Sequence, residues 1–428
     1  MKHRTGLMRP RMILLLCFCL ILALAMPGCA AAGAGIDLMS RVNAAQWPKS
    51  PAEPDAAFTG SVSGFSWRLF QESALNKGNV LVSPASVYLA LAMALNGADG
   101  DTRSAILHLL AEQGLSETEL NEACRDWITL LSNPGGKAQL SISNSIWYRT
   151  GFNPDTTFLQ KNADFFGAAA RALDFSKPES VGVINDWVKQ ATKDKIEKII
   201  EKIDADVVMY LINAIYFKSD WKTPFLTKET ADRAFKTPDK SIQTPFMNRL
   251  DSMSYLESKA RRGVLLPYAD ERYAMMVLLP AENEDPRAMI QNMTETDFAD
   301  LLASGQDVSV ELALPKFEAR YEDSLLNELD TMGMGIAFDG GRADFSLMNA
   351  AHENNLYISE IKHKTYCRVD EKGTEAAAVT SVEIRETAIL VADQTMIFDR
   401  PFVFGIVDTK TGLPLFLGIM ENPAGQSD

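Results

Sequence analysis

The chain has 428 residues, of which 46% are hydrophobic and 23% are charged, so it can bury a large core. Its formal net charge is -14, and a chain this acidic repels nucleic acid, which excludes a nucleic-acid partner. No Gly-x-Ser-x-Gly, His-Glu-x-x-His or phosphate-binding motif occurs, and a total of four histidines argues against a catalytic metal site. The sequence therefore predicts a protein that is not an enzyme and needs no metal or other cofactor.

The first 29 residues predict a secretion signal. Basic residues precede an apolar run over 12–26 that is too short to favour a membrane-spanning helix. The motif Pro27-Gly28-Cys29 follows and resembles a bacterial lipobox, in which the cysteine is lipidated and becomes the new N-terminus. The match departs from the usual pattern at Met26 and Pro27. We expect a lipid-anchored, extracytoplasmic protein at a membrane or cell surface; the alternative is ordinary cleavage nearby and a soluble secreted product.

The remaining chain predicts one continuous domain. Residues 30–57 are rich in Ala, Gly, Pro and polar residues without an apolar period, which is typical of a flexible tether. Residues 58–424 contain no linker, repeat or low-complexity block, and 425–428 form a short C-terminal tail. Apart from the cysteines of the first 29 residues, only Cys124 and Cys367 are present, too few for a disulfide framework. Two buried thiols are expected, with a single bridge as the alternative.

Helix and strand signals are interspersed along this domain without a regular βαβ period. Helices are predicted over 87–95, over 102–110 and over 183–203, where apolar residues recur at helical spacing. A nearly continuous apolar run over 207–217 is typical of a strand covered on both faces. Residues 308–314 alternate between apolar and polar and predict a further strand. The mixture points to the α+β class.

The stretch between Gly373 and Pro401 contains no further Gly or Pro and has the two-residue period of a half-buried strand. One alternating set is small or β-branched and uncharged: Thr374, Ala376, Ala378, Thr380, Val382 and Ile384. The other set carries the charges: Glu375, Ala377, Val379, Ser381, Glu383 and Arg385. Periodicity alone favours an ordinary sheet strand. The alanines at its start would also suit a strand that enters a tight slot from that end.

Four motifs, in family order over roughly 58–424, resemble the serpins, a family of serine protease inhibitors. They are Asn79-Val-Leu-Val-Ser-Pro-Ala-Ser86, Asn213-Ala-Ile-Tyr-Phe-Lys-Ser-Asp-Trp221, Glu371-Lys-Gly-Thr-Glu-Ala-Ala-Ala378, and Phe398-Asp-Arg-Pro-Phe-Val-Phe404 followed by Pro414-Leu-Phe-Leu-Gly-Ile419 and Asn422-Pro423. The resemblance implies an α+β serpin fold, with helices around three β-sheets and an exposed reactive-centre loop.

The resemblance also implies a monomeric suicide substrate of a serine endopeptidase, with a cysteine endopeptidase as a second option. The protease forms an acyl-enzyme with the loop, and the cut loop inserts into the main sheet and distorts the protease. The hinge residues would be Glu371, Gly373, Thr374, Glu375, Ala376, Ala377 and Ala378. Because this hinge lacks Pro and bulky residues, it favours an inhibitor. The alternatives are a non-inhibitory serpin acting as a surface binding or chaperone-like protein, and a lipoprotein that captures a small ligand.

The reactive bond follows from the family spacing. Counting from Glu371 places it between Thr387 and Ala388, which suggests an elastase-like target protease. Arg385 and Glu386 are alternatives, with a trypsin-like or subtilisin-like enzyme as the target; counting back from Pro401 lands near Leu390 instead.

Two supporting clusters are implied by the resemblance as well. The residues of the "shutter" beneath the main sheet would be Ser83, Ser86, Asn213 and His363. The residues of the "breach", where the loop first enters, would be Trp221, Lys316 and Glu371. For His363 alone, the strand pattern predicts a buried, hydrogen-bonded structural histidine.

Overall fold

The computed structural model describes residues 35–132, 138–205, 207–259, 261–374 and 391–425. Several predicted site residues lie outside these ranges: the lipidation site Cys29, the hinge residues Glu375, Ala376, Ala377 and Ala378, and the reactive-bond candidates Arg385, Glu386, Thr387 and Ala388. The hinge residues up to Thr374 and all shutter and breach residues are described.

Ten helices and sixteen strands are found in the described ranges. The helices are α1 (Ala56–Ser73), α2 (Pro84–Leu95), α3 (Gly100–Leu110), α4 (Glu117–Ser132), α5 (Thr156–Phe166), α6 (Glu179–Ala191), α7 (Pro286–Gln291), α8 (Glu295–Ala303), α9 (Leu326–Leu329) and α10 (Gly335–Phe338). The strands are β1 (Ile36–Asp37), β2 (Val80–Val82), β3 (Gln139–Arg149), β4 (Ala169–Leu173), β5 (Met209–Asp220), β6 (Ala231–Lys236), β7 (Ser241–Ser258), β8 (Arg261–Pro267), β9 (Tyr273–Leu279), β10 (Gln306–Pro315), β11 (Phe317–Ser324), β12 (Lys362–Asp370), β13 (Gly373–Thr374), β14 (Gln394–Ile397), β15 (Phe402–Asp408) and β16 (Pro414–Met420). The predicted α+β class is confirmed.

Helix starts follow the local sequence. The Ser83 side chain accepts from the Ser86 nitrogen at the start of α2, and Pro84 occupies the first turn, where its missing N–H costs nothing. Thr294 and Asp297 form a capping box at α8, each side chain accepting from the other's main-chain nitrogen. These caps fix the residues at which α2 and α8 begin.

The first sheet has seven strands in the order β1-β4-β3-β5-β13-β12-β11. Strands β3 and β5 are antiparallel over ten paired residues, with Asn144 directly opposite Asn213. Strands β11 and β12 form a second antiparallel pair over eight residues. Within the described residues, β13 lies between these two pairs and joins them at one end of the sheet.

The second sheet runs β14-β10-β7-β8-β9-β15-β16-β2, with β6 paired to β7. Strand β7 has 18 residues and pairs with β6, β10 and β8 along its length. Because β7 joins these strands through hydrogen bonds, the described residues form two sheets instead of the three that were expected. All residues of β9, β15 and β16 are buried, because helices and the first sheet cover them.

Helix α2 lies in the core, with its apolar side chains in contact with both β5 and β16. Eleven of its twelve residues are buried. A smaller apolar cluster forms where α6 covers the first sheet, and includes Trp147, Ile184 and Ile200. Cys124 and Cys367 are both buried and carry thiols rather than a disulfide, as predicted.

The helix predicted over 183–203 is only half formed. Helix α6 ends at Ala191, and residues 196–203 are not helical. In place of helical hydrogen bonds, the main-chain nitrogens of Ile199 and Ile200 donate to Asn185 Oδ1. The isoleucines still point inward, so their helical spacing reports burial rather than a helix.

The flexible tether predicted for 30–57 is corrected for residues 36–45. Strand β1 pairs with β4 and extends the first sheet by one strand. The Leu38 side chain is buried, and the main-chain nitrogen of Ala45 donates to Asp164 Oδ1 at 2.7 Å. A short paired strand and one buried side chain are signals too local for composition to reveal. In the described parts of the chain, no helix has the length and apolar character needed to cross a membrane.

Candidate functional site

The candidate site is the gap in the first sheet between β5 and β12. Strand β5 pairs with β3 on one side, and strand β12 pairs with β11 on its far side. On the sides that face each other, the described residues offer only β13 as a partner, at Ser219 and Asp220 of β5 and at Val369 and Asp370 of β12. Beyond β13, the described residues place no further strand between these two edges.

A cavity of about 180 Å³ lies along this gap. Its walls are β5 from Met209 to Ile215, the start of β12, helix α2 beneath, and the residues that follow α6 above. The lining is largely apolar, with Leu91, Ile200 and Phe416 among its side chains. An apolar cleft between two neighbouring strands suits a further strand with small inward side chains.

Gly373 and Thr374 occupy the end of the gap as β13. Their main chain pairs with β5 and β12 at once, antiparallel to both. A Cβ at Gly373 would lie 2.1 Å from the main-chain oxygen of Ser219, so only glycine fits between the two strands. The Thr374 side chain points into the core, where it is 1% exposed. Two of the predicted hinge residues are therefore seated in the sheet, with the narrowest position filled by glycine.

The predicted breach residues meet at the same end of the sheet. Lys316 Nζ lies 2.9 Å from Glu371 Oε2, and the Thr230 hydroxyl donates to Glu371 Oε1 at 2.9 Å. Burial by itself would raise the pKa of Glu371, but the hydrogen bonds from Lys316 and Thr230 outweigh it and hold the pKa below its usual value. Glu371 is therefore charged and tied to two different elements, immediately before the seated hinge.

Trp221 supports the same turn. Its indole nitrogen donates to the main-chain oxygen of Asp370 at 2.9 Å, and its main-chain nitrogen donates to the oxygen of Lys372. The indole ring stacks on Tyr268, with centroids 4.7 Å apart and planes 9° apart. Both bonds fix the main chain of the turn rather than any side chain, so Trp221 sets where the hinge begins.

The predicted shutter residues lie below the middle of the gap. Ser83 links helix α2 to two strands: its main-chain nitrogen donates to His363 Nε2 at 3.1 Å, and its hydroxyl donates to the oxygen of Leu415 at 2.8 Å. His363 is buried, and this burial lowers the pKa of the imidazole to about 4. The imidazole is therefore neutral near pH 7, as an Nε2 that accepts a hydrogen bond requires.

Asn213 joins the cluster from the other side of the gap. The Ser86 hydroxyl donates to Asn213 Oδ1 at 2.5 Å, and Asn213 Nδ2 donates to Asn144 Oδ1 at 2.6 Å. Asn144 in turn donates to the main-chain oxygen of Phe166. His363 reaches Asn213 through Ser83 and Ser86, which lie on one turn of α2. The helix start thus bridges the two strands that border the gap.

Three further residues belong to these clusters and were not identified from the sequence: Asn144 in the shutter, and Thr230 and Tyr268 in the breach. Each acts through a side-chain hydrogen bond to a residue far away in the chain, which a local pattern cannot reveal. The residues described contain no group of three or more His, Cys, Asp or Glu side chains that could hold a metal ion.

Comparison with known proteins shows which family this chain is similar to. The family model described as "Serpin (serine protease inhibitor)" matches residues 61–423. A serpin-like protein of Thermococcus kodakarensis is 31% identical over 85% of this chain and 85% of its own length. The leukocyte elastase inhibitor of Equus caballus is 29% identical over 81% of this chain and 93% of its own.

Solved structures of serpins have a similar fold. The thermophilic serpin tengpin in its native state superposes with a TM-score of 0.84 and 36% identity, over 91% of this chain and 99% of its own. The same protein in its latent state gives a TM-score of 0.77, over 86% of this chain and 99% of its own.

Proposed function

This chain belongs to the serpin family, whose members are generally protease inhibitors, and we propose that it inhibits a serine endopeptidase by inserting its cleaved loop into the gap between β5 and β12. The observation that carries the proposal is the seated hinge. Gly373 and Thr374 already pair with both border strands, and a cavity lies farther along the same gap, beside Met209 to Ile215 of β5. A strand that continued from Thr374 would grow directly into that cavity.

The dimensions of the gap support this. Strand β5 has 12 residues, and the alternating segment 374–385 has the same length. Because Thr374 points into the core, continuing the two-residue period turns the small, uncharged set inward. The charged set, which includes Glu375 and Arg385, then faces outward. The orientation of Thr374 is thus the one that, continued along the strand, buries no charged side chain.

If the proposed strand continues in the register of β13, the position of each inserted residue follows. Thr374 lies opposite Ser219 of β5 and Val369 of β12. Six residues further along an antiparallel strand, Thr380 would lie opposite Asn213 on one side and His363 on the other. A hydroxyl would thus arrive between the two shutter residues that border the gap.

Insertion of the loop between β5 and β12 is expected to lower the free energy of the protein. A strand that enters the cavity adds main-chain hydrogen bonds along it and covers its apolar lining. An uncut loop is held at both ends, at Thr374 and at the start of β14, so it cannot extend fully through the gap while β14 stays paired with β10. Cleavage frees one end and so releases a rearrangement that the intact chain withholds.

The decisive experiment incubates the secreted protein with elastase-type and trypsin-type serine proteases. An inhibitor forms a covalent, detergent-resistant complex, and its cleaved form melts at a much higher temperature than the intact one. The variant Thr374→Arg is the matched control, because a charged side chain cannot follow Thr374 into the core. It should be cut without forming a complex. Cleavage of the unsubstituted protein with neither complex nor a rise in melting temperature would exclude the proposal.

For the target, we favour a protease with a small primary pocket, since the hinge spacing places Thr387 before the cut. The name of the equine relative, a leukocyte elastase inhibitor, supports the same class. Mass spectrometry of the cleaved chain tests this: a new N-terminus at Ala388 supports it, whereas cleavage after Arg385 indicates a trypsin-like target.

We also propose that the mature protein is held at a membrane by lipid on Cys29, because of the motif Pro27-Gly28-Cys29. Detergent phase partitioning tests the anchor. The unsubstituted protein should enter the detergent phase and the Cys29→Ser variant should stay in the aqueous phase; equal partitioning would contradict the anchor and leave the inhibitory mechanism unaffected.

A further inference from the structure

We infer that Tyr268 is a positioning residue for the hinge: its hydroxyl holds the Thr374 side chain in the sheet and so provides the starting point for loop insertion. The inference rests on the proposed function and adds to it a residue that lies outside the inserting segment. Tyr268 follows β8 and forms an isolated bridge with Trp221.

The contact is short and fully enclosed. The oxygens of the Tyr268 hydroxyl and the Thr374 hydroxyl lie 2.6 Å apart, in hydrogen-bond contact. The Tyr268 side chain is 0% exposed and Thr374 is 1% exposed, so water cannot replace either partner. A buried hydroxyl without a partner is costly, which means that this pair favours the seated hinge over one that has left the sheet.

The ring is held independently of the hydroxyl. It stacks on Trp221 and packs edge-on against Phe217, with centroids 4.9 Å apart. Trp221 also fixes the main chain of the hinge turn through the Asp370 oxygen. The Tyr268 ring is therefore a rigid support that aims one hydroxyl at one hinge side chain. Removing only the hydroxyl leaves the packing of the ring in place.

The consequence concerns the start of insertion. A new strand must first form a nucleus, and β13 is such a nucleus, already paired with both neighbours. If Thr374 is released, the first pairs must form again after the loop is cut, while the acyl-enzyme is exposed to hydrolysis. The Tyr268 hydroxyl thus favours trapping of the protease over simple cleavage of the loop.

The chain supplies a matched control for the tyrosine. Tyr273 is also fully buried and also packs edge-on against Phe217, at 5.7 Å. Its hydroxyl has no hydrogen-bond partner among the residues that the structure describes. Tyr268→Phe and Tyr273→Phe therefore remove the same atom from similar surroundings, and only the first removes a contact with the hinge.

The first measurement is hydrogen exchange in the intact protein, over the amides from Asp370 to Thr374. Tyr268→Phe and Thr374→Val should exchange about fivefold faster there, the factor that corresponds to one neutral hydrogen bond. Thr374→Ser keeps a hydroxyl and should behave like the unsubstituted chain, as should Tyr273→Phe. The double variant should exchange no faster than either single variant, because both changes remove the same bond and the double variant leaves no hydroxyl without a partner.

The second measurement is the stoichiometry of inhibition, the number of inhibitor molecules consumed per protease trapped. The amount by which this number exceeds one should be about fivefold larger in Tyr268→Phe and in Thr374→Val than in the unsubstituted protein. In Thr374→Ser it should equal that of the unsubstituted protein. A general loss of packing would not be rescued by serine.

The outcomes separate the two proposals. If the unsubstituted protein traps no protease, the proposed function fails, and hydrogen exchange alone decides whether Tyr268 holds the hinge. If it traps protease and the stoichiometry of Tyr268→Phe is unchanged, the positioning role of Tyr268 is overturned, whatever the exchange rates. Unchanged exchange in Tyr268→Phe overturns it as well.

Discussion

His363 on β12 accepts a hydrogen bond at Nε2 from the main-chain nitrogen of Ser83 at the start of α2. An imidazole that accepts at Nε2 has no proton there, and burial keeps the pKa of His363 at about 4 against a usual 6.5. The contact between helix and strand therefore depends on the protonation state of one side chain, and acid acts directly on the shutter.

The first prediction follows from that shift. Because the pKa is lower in the folded state, the unfolded chain binds the proton first as the pH falls, and stability decreases from about pH 6.5 to about pH 4. The full shift corresponds to about 3 kcal/mol. Thermal melting at several pH values measures it. His363→Gln should flatten this part of the curve, whereas His108→Gln, an exposed helix position, should not; parallel curves for all three proteins would refute the assignment.

The second prediction concerns Ser86. Replacing it with alanine removes the donor to Asn213 Oδ1, and the loss of a hydrogen bond in this partly buried place should lower the free energy of unfolding by about 1–3 kcal/mol. The intact protein should then convert faster on mild heating to a form without inhibitory activity. Ser104→Ala, an exposed position whose hydroxyl bonds only within its own helix, is the control.

The third prediction concerns Lys316. Lys316→Ala leaves Glu371 with the Thr230 hydroxyl as its remaining side-chain partner, in a setting where the carboxylate is mostly buried. A loss of about 1 kcal/mol is expected, together with faster loss of activity at raised temperature. Lys202→Ala breaks a fully exposed pair with Asp204 and should change neither quantity.

The fourth prediction tests the register of insertion. Thr380→Val keeps the shape of the side chain and removes the hydroxyl expected between Asn213 and His363. The intact protein should melt at the same temperature as before, while the melting temperature of the cleaved form should fall. An equal change in both forms would mean that Thr380 does not reach the shutter.

The fifth prediction concerns the target. Thr387→Arg should transfer inhibition from elastase-type to trypsin-type proteases, because the residue before the cut fills the primary pocket. Inhibition rates with one enzyme of each type measure the change. If the actual cut follows Arg385, the variant should leave trypsin inhibition nearly unchanged.

The sequence predicted the family fold, and the family resemblance named several residues of both clusters; for some of these residues the physical reason can be stated. Asn213 interrupts an apolar run, and a half-buried amide requires polar partners. Gly373 stands before an alternating stretch, and only glycine fits against Ser219. Such residues break their local pattern, and the break itself points to a special environment.

Other features left no such signal. Tyr268 and Thr230 occur in ordinary surroundings, and their roles arise only when the fold brings them to the hinge. The isoleucines over 196–203 keep a helical period without a helix, because burial on one side gives the same pattern. Strand β1 has two residues, too few for any period to be recognised.

The arrangement of β16 has a consequence for synthesis. This strand is the last that the structure describes, yet it lies between β15 and β2, and the main-chain oxygen of its Leu415 accepts from the Ser83 hydroxyl. Translation must therefore pass Leu415 before helix α2 gains this support. A stop codon shortly before Pro414 would undermine a cluster whose first residue is encoded more than 300 codons earlier.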